Sequence, residues 1–218
     1  MSRPFTSFEQ ERVIESLRAV GRARDALLVE MGCYLGFRVS ELLSLKVDDV
    51  AENLVPRAEI VVARRNLKGG KGGRRRTVRN RRVVVPQRIR SLLGDYLQGC
   101  TPFPGSYLFQ SREGGNRPIS RVQAHRIIVA AAEAVGVVER IATHSMRKSF
   151  VQRIYTLSGH DLIKTQRIVG HRSPLTTARY LETDQADLDA LVLAQDGGVP
   201  GKAPADLAQP NACDWAVG

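Results

Sequence analysis

The sequence contains little cysteine, fewer acidic than basic residues, and no long apolar run. Its three cysteines, Cys33, Cys100 and Cys213, are widely spaced without a CxxC pair, which argues against a zinc site or a disulfide framework and fits a reducing cytoplasm. No apolar stretch approaches the roughly 20 residues of a membrane span, and the first residues lack the apolar core of a signal peptide. The P-loop pattern of GxxxxGK followed by Ser or Thr is also missing. We therefore expect a cytoplasmic protein that needs neither a metal nor ATP.

Basic residues outnumber acidic residues in the sequence. The chain has 33 Lys and Arg residues against 22 Asp and Glu residues, which gives a formal net charge of +11. Such an excess favours a polyanionic partner such as a nucleic acid. An acidic membrane surface is the alternative, although no lipid-anchor motif or basic amphipathic helix supports it.

The basic residues are densest between residues 64 and 82, where ten of nineteen are Lys or Arg and none is acidic. The stretches 58–66 and 74–86 are rich in Val and bounded by Gly and Pro, which predicts two β-strands, and GGKGG between them is typical of a turn. A charge run is usually a solvated face, but this density on one hairpin predicts a phosphate-binding arm. The candidate DNA-binding residues are Arg64, Arg65, Lys71, Arg74, Arg75 and Arg76, to which we add Arg172.

Most of the remaining chain predicts helices. A capping box formed by Thr6 and Glu9 marks the start of the first one. Apolar periodicity and capping signals predict helices at about 6–20, 26–35, 39–45, 86–97, 120–135, 161–169 and 174–181. Residues 184–194 have the pattern of an acidic amphipathic helix, and the Gly-, Pro- and Ala-rich residues 196–218 are predicted to be a disordered tail.

The octapeptide THSMRKSF predicts a helix with two reactive side chains on one face. Thr143 is its predicted N-cap, and His144 and Arg147 are about one turn apart. An Arg fork can hold two phosphate oxygens at once, and a His can move protons near neutral pH. An HxxR pair alone is more often an ordinary surface pair, so the interpretation depends on what accompanies it.

Two further candidates follow the HxxR pair. His171 comes after a glycine, and Tyr180 lies nine residues later. A Tyr hydroxyl can be a covalent nucleophile where nearby positive charge favours its ionised form. Tyr155 is the other tyrosine of this region, and we interpret it as a core residue. His125 and His160 are predicted to lie on a helix surface and in a loop.

Each motif is weak evidence for a functional site when taken alone, but the order in which the motifs occur makes the evidence stronger. The chain reads GFRVSELLSL around Arg38, then NLKGGKGG, THSMRKSF and VGHRSPLTTARY, which ends at Tyr180. In this order the motifs closely resemble the tyrosine recombinase (phage integrase) family over about residues 5–190. The resemblance implies an α+β fold, a mainly helical catalytic domain with a small antiparallel β-sheet. It assigns residues 1–195 to that domain and implies that the family's N-terminal core-binding domain is absent.

The resemblance also implies a reaction, the cleavage and rejoining of DNA strands through a 3′-phosphotyrosyl intermediate, without a cofactor or metal. Glu41 would orient Arg38 or its helix. Lys68 would protonate the leaving 5′ oxygen, and Lys71 in the same Gly-rich turn is its rival. The implied catalytic residues are Arg38, Lys68, His144, Arg147, His171 and Tyr180.

The implied partner is double-stranded DNA, on which four copies of the chain would assemble into a synapse, in association with the nucleoid. Two other interpretations stay open. A type IB topoisomerase shares this chemistry but relaxes supercoils, and a non-catalytic relative would only bind DNA. The complete motif set argues against the second.

Overall fold

The structure is a computed structural model that describes residues 2–63, 80–100, 102–103, 105–138 and 140–181. The predicted hairpin turn, the acidic segment 184–194 and the tail 196–218 lie outside these residues. The elements in chain order are α1 (Ser7–Ala19), α2 (Ala23–Leu35), α3 (Val39–Leu42), α4 (Val47–Val50), β1 (Ala51–Glu52), β2 (Val55–Pro56), β3 (Glu59–Val62), β4 (Arg81–Val84), α5 (Gln87–Gln98), α6 (Arg121–Ala134), α7 (Thr143–Leu157), α8 (Leu162–Val169) and α9 (Pro174–Ala178).

Helix α2 lies at the centre of the fold, and α1, α5 and α7 pack around it. Its side chains are buried on nearly every face, including Leu28, Val29 and Met31. The buried carboxylate of Glu30 on this helix receives hydrogen bonds from Arg18 and Arg88. A buried carboxylate needs such partners because its desolvation is costly. The core therefore forms around one apolar helix, and the buried carboxylate of Glu30 at its centre is neutralised by two arginines.

Local capping signals place several helix starts. The capping box predicted at Thr6 and Glu9 is present, with both reciprocal hydrogen bonds formed. Ser120 caps α6 and Asp161 caps α8, each by accepting a backbone N–H from the first turn. The predicted capping box at Thr6 is confirmed, and the helix starts predicted near residues 120 and 161 agree with the structure. A side-chain cap acts through neighbours in sequence and needs no tertiary contact.

The predicted hairpin is confirmed in its described part. Strands β3 and β4 pair antiparallel, with Glu59 opposite Val84 and Val62 opposite Arg81. A second, two-residue pair, β1 with β2, was not predicted from the sequence. The fold is thus mainly helical with small antiparallel sheets. In the described part of the chain, no helix is both long and apolar enough to cross a membrane.

Three details of the predicted site helices are corrected. The N-cap of α7 is Ala142 and not Thr143, which is already helical, and the hydroxyl of Ser145 accepts the Ala142 N–H. Helix α9 ends at Ala178, so Tyr180 lies in the turn that follows it. Tyr155 is half-buried against the exposed His160 ring instead of lying in the core.

Gly36 ends α2 at the point where α7 crosses it. Its φ of +61° lies in the left-handed region, where a side chain costs about 1–2 kcal/mol. A Cβ at this position would also overlap the ring of Phe150 on α7. One turn earlier, a Cβ at Gly32 would overlap Met146. The two glycines therefore allow α7 to approach the central helix closely.

We predict that Gly36→Ala destabilises the protein more than Gly136→Ala does. Gly136 also has a positive φ, of +78°, but has open space where a Cβ would stand. The Gly36 variant should lose roughly 1–3 kcal/mol more in unfolding free energy, the usual cost of overpacking. Urea unfolding of both variants measures this difference, and equal losses would mean that the close approach at Phe150 carries no stability.

Candidate active site

Arg147 is the most deeply buried basic side chain of the candidate site, with 1% of its surface exposed. It lies on α7 and donates one hydrogen bond to the carbonyl of Gly36, which ends α2. A second hydrogen bond of 3.2 Å runs from Nη2 to the carbonyl of Val169, at the end of α8. Burial lowers the pKa of Arg147 to about 10, and Arg38 and Arg81 contribute to the same change. The guanidinium therefore stays charged at neutral pH, held by the carbonyl ends of two helices.

Glu41 is a fully buried carboxylate that joins two other arginines. Its Oε1 accepts from Arg38 Nη1 at 2.7 Å, and its Oε2 accepts the backbone N–H of Arg38 at 2.9 Å. The same Oε2 lies 3.4 Å from Nη1 of Arg81 on β4. Burial lowers the pKa of Arg81, and Glu41 opposes that change. Glu41 thus holds both guanidinium groups near Arg147.

His171 is delivered by the end of α8. Gly170 takes a left-handed conformation as the C-cap, and the Gln166 side chain holds the His171 carbonyl at 2.8 Å. The ring is buried, with Nδ1 3.0 Å from the hydroxyl of Thr177. Burial lowers the pKa of His171 to about 3, and Arg147 is the largest of the neighbouring charges that add to this. The ring is therefore neutral at neutral pH.

Tyr180 meets the HxxR helix through His144. Its hydroxyl oxygen is 2.8 Å from Nε2 of His144, and its ring centroid is 5.0 Å from that of His171. The Tyr180 side chain packs against a small apolar cluster that includes Phe150 and Val169. Helices α7 and α8 therefore together position the tyrosine.

Five of the six predicted catalytic residues meet in one place. Arg38, His144, Arg147, His171 and Tyr180 surround a common region, as their hydrogen bonds, ring contacts and mutual electrostatic effects indicate. Lys68 and the predicted DNA-binding residues Arg64, Arg65, Lys71, Arg74, Arg75 and Arg76 lie outside the described residues. Arg172, beside His171, is exposed.

Sequence reasoning missed two residues of this cluster. Arg81 was counted only as one of many basic residues, although its place at the start of an alternating strand could have marked it. Along β4, Arg81 and Val83 are half-buried whereas Arg82 and Val84 are exposed. Thr177 carried no signal of its own, because a Thr in a short helix is common. Its contact with His171 depends on the loop between α8 and α9.

The cluster has two buried nitrogen atoms without a partner among the described atoms, Nε of Arg147 and Nε2 of His171. A buried polar group that lacks a hydrogen bond is costly, so such groups usually meet a ligand or water. Here they lie in a cluster of three guanidinium groups and the carboxylate of Glu41. The arrangement favours an anion with several oxygen atoms, next to a tyrosine hydroxyl.

Comparison with known proteins agrees with this chemistry. The sequence profile described as "Phage integrase family" matches residues 4–187. The probable integrase/recombinase YoeC of Bacillus subtilis is 29% identical over 84% of this chain and 90% of its own length. Tyrosine recombinase XerD of Mycobacterium leprae is 32% identical over 80% of this chain, but the match covers 55% of XerD.

A solved structure is similar as well. The XerH site-specific recombinase bound to a palindromic difH substrate, described as a post-cleavage complex, superposes with a TM-score of 0.67 at 25% identity. The match covers 88% of this chain and 52% of the XerH chain. This chain therefore spans about half the length of the Xer proteins and most of YoeC. With the profile extending over residues 4–187 of 218, the chain belongs to the phage integrase family.

Proposed function

We propose that this chain is a site-specific DNA recombinase that cleaves and rejoins strands through a 3′-phosphotyrosyl intermediate. The observation that carries the proposal is the contact between the Tyr180 hydroxyl and His144, 2.8 Å long, beside the buried Arg147. A nucleophile, a proton acceptor and a fixed cation are the parts that phosphoryl transfer to a hydroxyl requires.

The first step transfers the phosphoryl group from a DNA 5′ oxygen to tyrosine. The Tyr180 oxygen forms a bond to phosphorus, and its proton moves to Nε2 of His144. The bond from phosphorus to the 5′ oxygen breaks, and that oxygen takes a proton from Lys68. Because the phosphotyrosyl ester retains the energy of the original ester, a 5′ hydroxyl of another strand can reverse the step.

Arg38 and Arg147 stabilise the charge that builds on the two non-bridging oxygens. Preorganised charge of this kind is most effective where water is excluded, and Arg147 is almost fully buried. Nε2 of His171 donates to one of the same oxygens. The neutral state of His171 suits this role, since the ring donates a hydrogen bond without moving a proton.

Arg81 extends the cationic side of the site. Its guanidinium lies 5.6 Å from the ring centroid of Phe37 and shares Glu41 with Arg38. Its neighbour Arg82 points to the other face of the strand and pairs with Glu59. Arg81 would therefore add to the electrostatic attraction for phosphate, whereas Arg82 would not.

Self-assembly on DNA has a candidate surface in the described residues. A groove of about 500 Å³ lies between α7 and α8. Its apolar lining includes Ile154, Leu157 and Ile168, and its basic lining includes Lys164 and Arg167. Residues 184–194 of a second copy have the complementary composition, with three Asp and an apolar Leu–Val–Leu run. We propose that this segment docks there and links protomers in the synapse.

Replacing the proposed nucleophile tests the reaction itself. Tyr180→Phe should abolish the covalent protein–DNA adduct while DNA binding stays nearly intact, because only the reacting hydroxyl is lost. The substrate is a nicked suicide duplex that carries a target site selected from a random-sequence pool, and the adduct is read on a denaturing gel. Tyr155→Phe is the matched control. An adduct that survives in the Tyr180→Phe variant but disappears in the control would assign the chemistry to Tyr155.

The two adjacent arginines of β4, Arg81 and Arg82, point to opposite faces of the strand. They therefore form a matched pair that tests the electrostatic contribution of Arg81 to cleavage. Arg81→Ala should slow single-turnover cleavage by roughly tenfold or more, since a fixed cation near the developing charge is lost. Arg82→Ala should change the rate little, because that side chain is exposed. Equal rates for the two variants, with both proteins folded, would remove Arg81 from the site.

A charge placed in the groove tests protomer contacts. Leu157 is 76% exposed, so Leu157→Glu should fold normally while repelling the acidic segment. Cleavage of a full site should fall, whereas binding to a half-site should not. Val138→Glu, at a position 89% exposed, supplies the control. Equal loss in the full-site and half-site assays would instead favour packing of the segment on its own domain.

A further inference from the structure

The environment of Thr177 separates it from its neighbour Thr176. Thr177 is fully buried, whereas Thr176 is only half-buried. The Thr177 hydroxyl lies 3.0 Å from Nδ1 of His171. Among the described residues, this ring nitrogen is the one hydrogen-bond partner of the Thr177 hydroxyl. In particular, no bond runs from the hydroxyl to the carbonyl of the preceding turn, the usual acceptor for a helical Thr.

This isolation fixes the direction of the hydrogen bond. A hydroxyl has a single proton, and a buried one must place that proton on an acceptor within reach. The acceptor that the described structure offers is Nδ1, so Thr177 donates and the ring nitrogen accepts. A neutral imidazole carries one N–H, and the nitrogen that accepts cannot be the one that carries it. The proton of His171 is therefore on Nε2.

Nε2, the other ring nitrogen, is buried with no partner of its own among the described atoms, and Arg147, Arg38 and Arg81 are neighbouring charges of the ring. In the opposite tautomer, Nε2 would present a lone pair and would repel a phosphate oxygen. Burial keeps the ring neutral by lowering the pKa of His171 to about 3, so a second N–H from protonation is not available near neutral pH. The usefulness of His171 thus depends on which nitrogen holds its one proton.

We infer that Thr177 is a positioning residue that holds His171 in the Nε2–H tautomer, so that the ring donates a hydrogen bond to the scissile phosphate. The inference rests on the proposed function, because it takes the ligand at Nε2 to be a DNA phosphodiester. It adds to the proposed reaction one residue, Thr177, that acts only through His171. What Thr177 controls is which ring nitrogen of His171 carries the single proton.

Two variants of Thr177 separate the effect of its hydroxyl proton from the effect of its side-chain shape. Thr177→Val keeps the branched shape and removes the proton, while Thr177→Ser keeps the hydroxyl. The adjacent Thr176→Val is the matched control. Imidazole ¹⁵N shifts distinguish the two tautomers, and the chain has only four histidines, so a His171→Ala spectrum identifies the resonances. We expect the Nε2–H form in the wild type, Thr177→Ser and Thr176→Val, and a tautomer mixture in Thr177→Val.

Single-turnover cleavage of the suicide duplex gives the second measurement. Thr177→Val should cleave about five- to twentyfold more slowly, the scale of one lost hydrogen bond, and Thr177→Ser and Thr176→Val should stay close to the wild type. In a His171→Ala background, Thr177→Val should have no further effect, because its role passes through the ring. If the role of Thr177 were merely structural, Thr177→Val would lower the cleavage rate by the same factor in the wild-type background and in the His171→Ala background.

The possible failures are distinguishable. An Nδ1–H signal in the wild type, an unchanged tautomer in Thr177→Val, or an equal rate loss in the His171→Ala background would each overturn the inference about Thr177. Absence of any wild-type adduct would instead overturn the proposed function. The tautomer spectra need no DNA, so they decide the direction of the Thr177 bond in either case. Thermal unfolding of every variant confirms that the compared proteins are folded.

Discussion

The buried guanidinium of Arg147 is the feature on which the site depends. A charge in the interior is tolerated only where polar partners replace its water. Here the partners are main-chain carbonyls of Gly36 and Val169, so one side chain of α7 ties together the ends of α2 and α8. The same two ends lead directly to Arg38 and His171. Folding therefore sets the cation in place before any ligand arrives, which is the arrangement that electrostatic stabilisation requires.

The other charged groups of the site are arranged around the buried positive charge of Arg147. Three guanidinium groups in one cluster repel each other, and Glu41 offsets part of that repulsion by pairing with Arg38 and Arg81. Burial, together with the remaining positive field, keeps His171 neutral. In the proposed reaction, the neutral ring of His171 would donate a hydrogen bond and leave proton transfer to His144, which lies at the more exposed edge beside Tyr180. The two histidines of the site would thus have different roles because their surroundings differ.

Much of this could be predicted from the sequence where the physics is local. The caps at Thr6, Ser120 and Asp161 act within one turn, and the spacing of His144 and Arg147 places both on one helix face. The end of α9 and the N-cap of α7 were predicted wrongly, since several residues of similar propensity compete at a helix end. Arg81 was not predicted because its contact with Glu41 joins residues that are distant in sequence. Thr177 was not predicted because its contact with His171 depends on the conformation of the loop between α8 and α9. The Gly36 carbonyl as an Arg147 partner is equally a product of tertiary packing.

The central claim is that Arg147 stabilises negative charge on the non-bridging oxygens of a phosphodiester. A suicide duplex whose scissile phosphate carries a methyl group in place of one such oxygen is neutral at that position, so it needs less charge stabilisation. The measurement is the single-turnover rate of adduct formation by the wild type and by Arg147→Ala on the two substrates. The account predicts that the loss caused by the substitution is much smaller on the neutral substrate than on the charged one. An equal loss on both substrates would contradict it and would assign Arg147 a purely structural role.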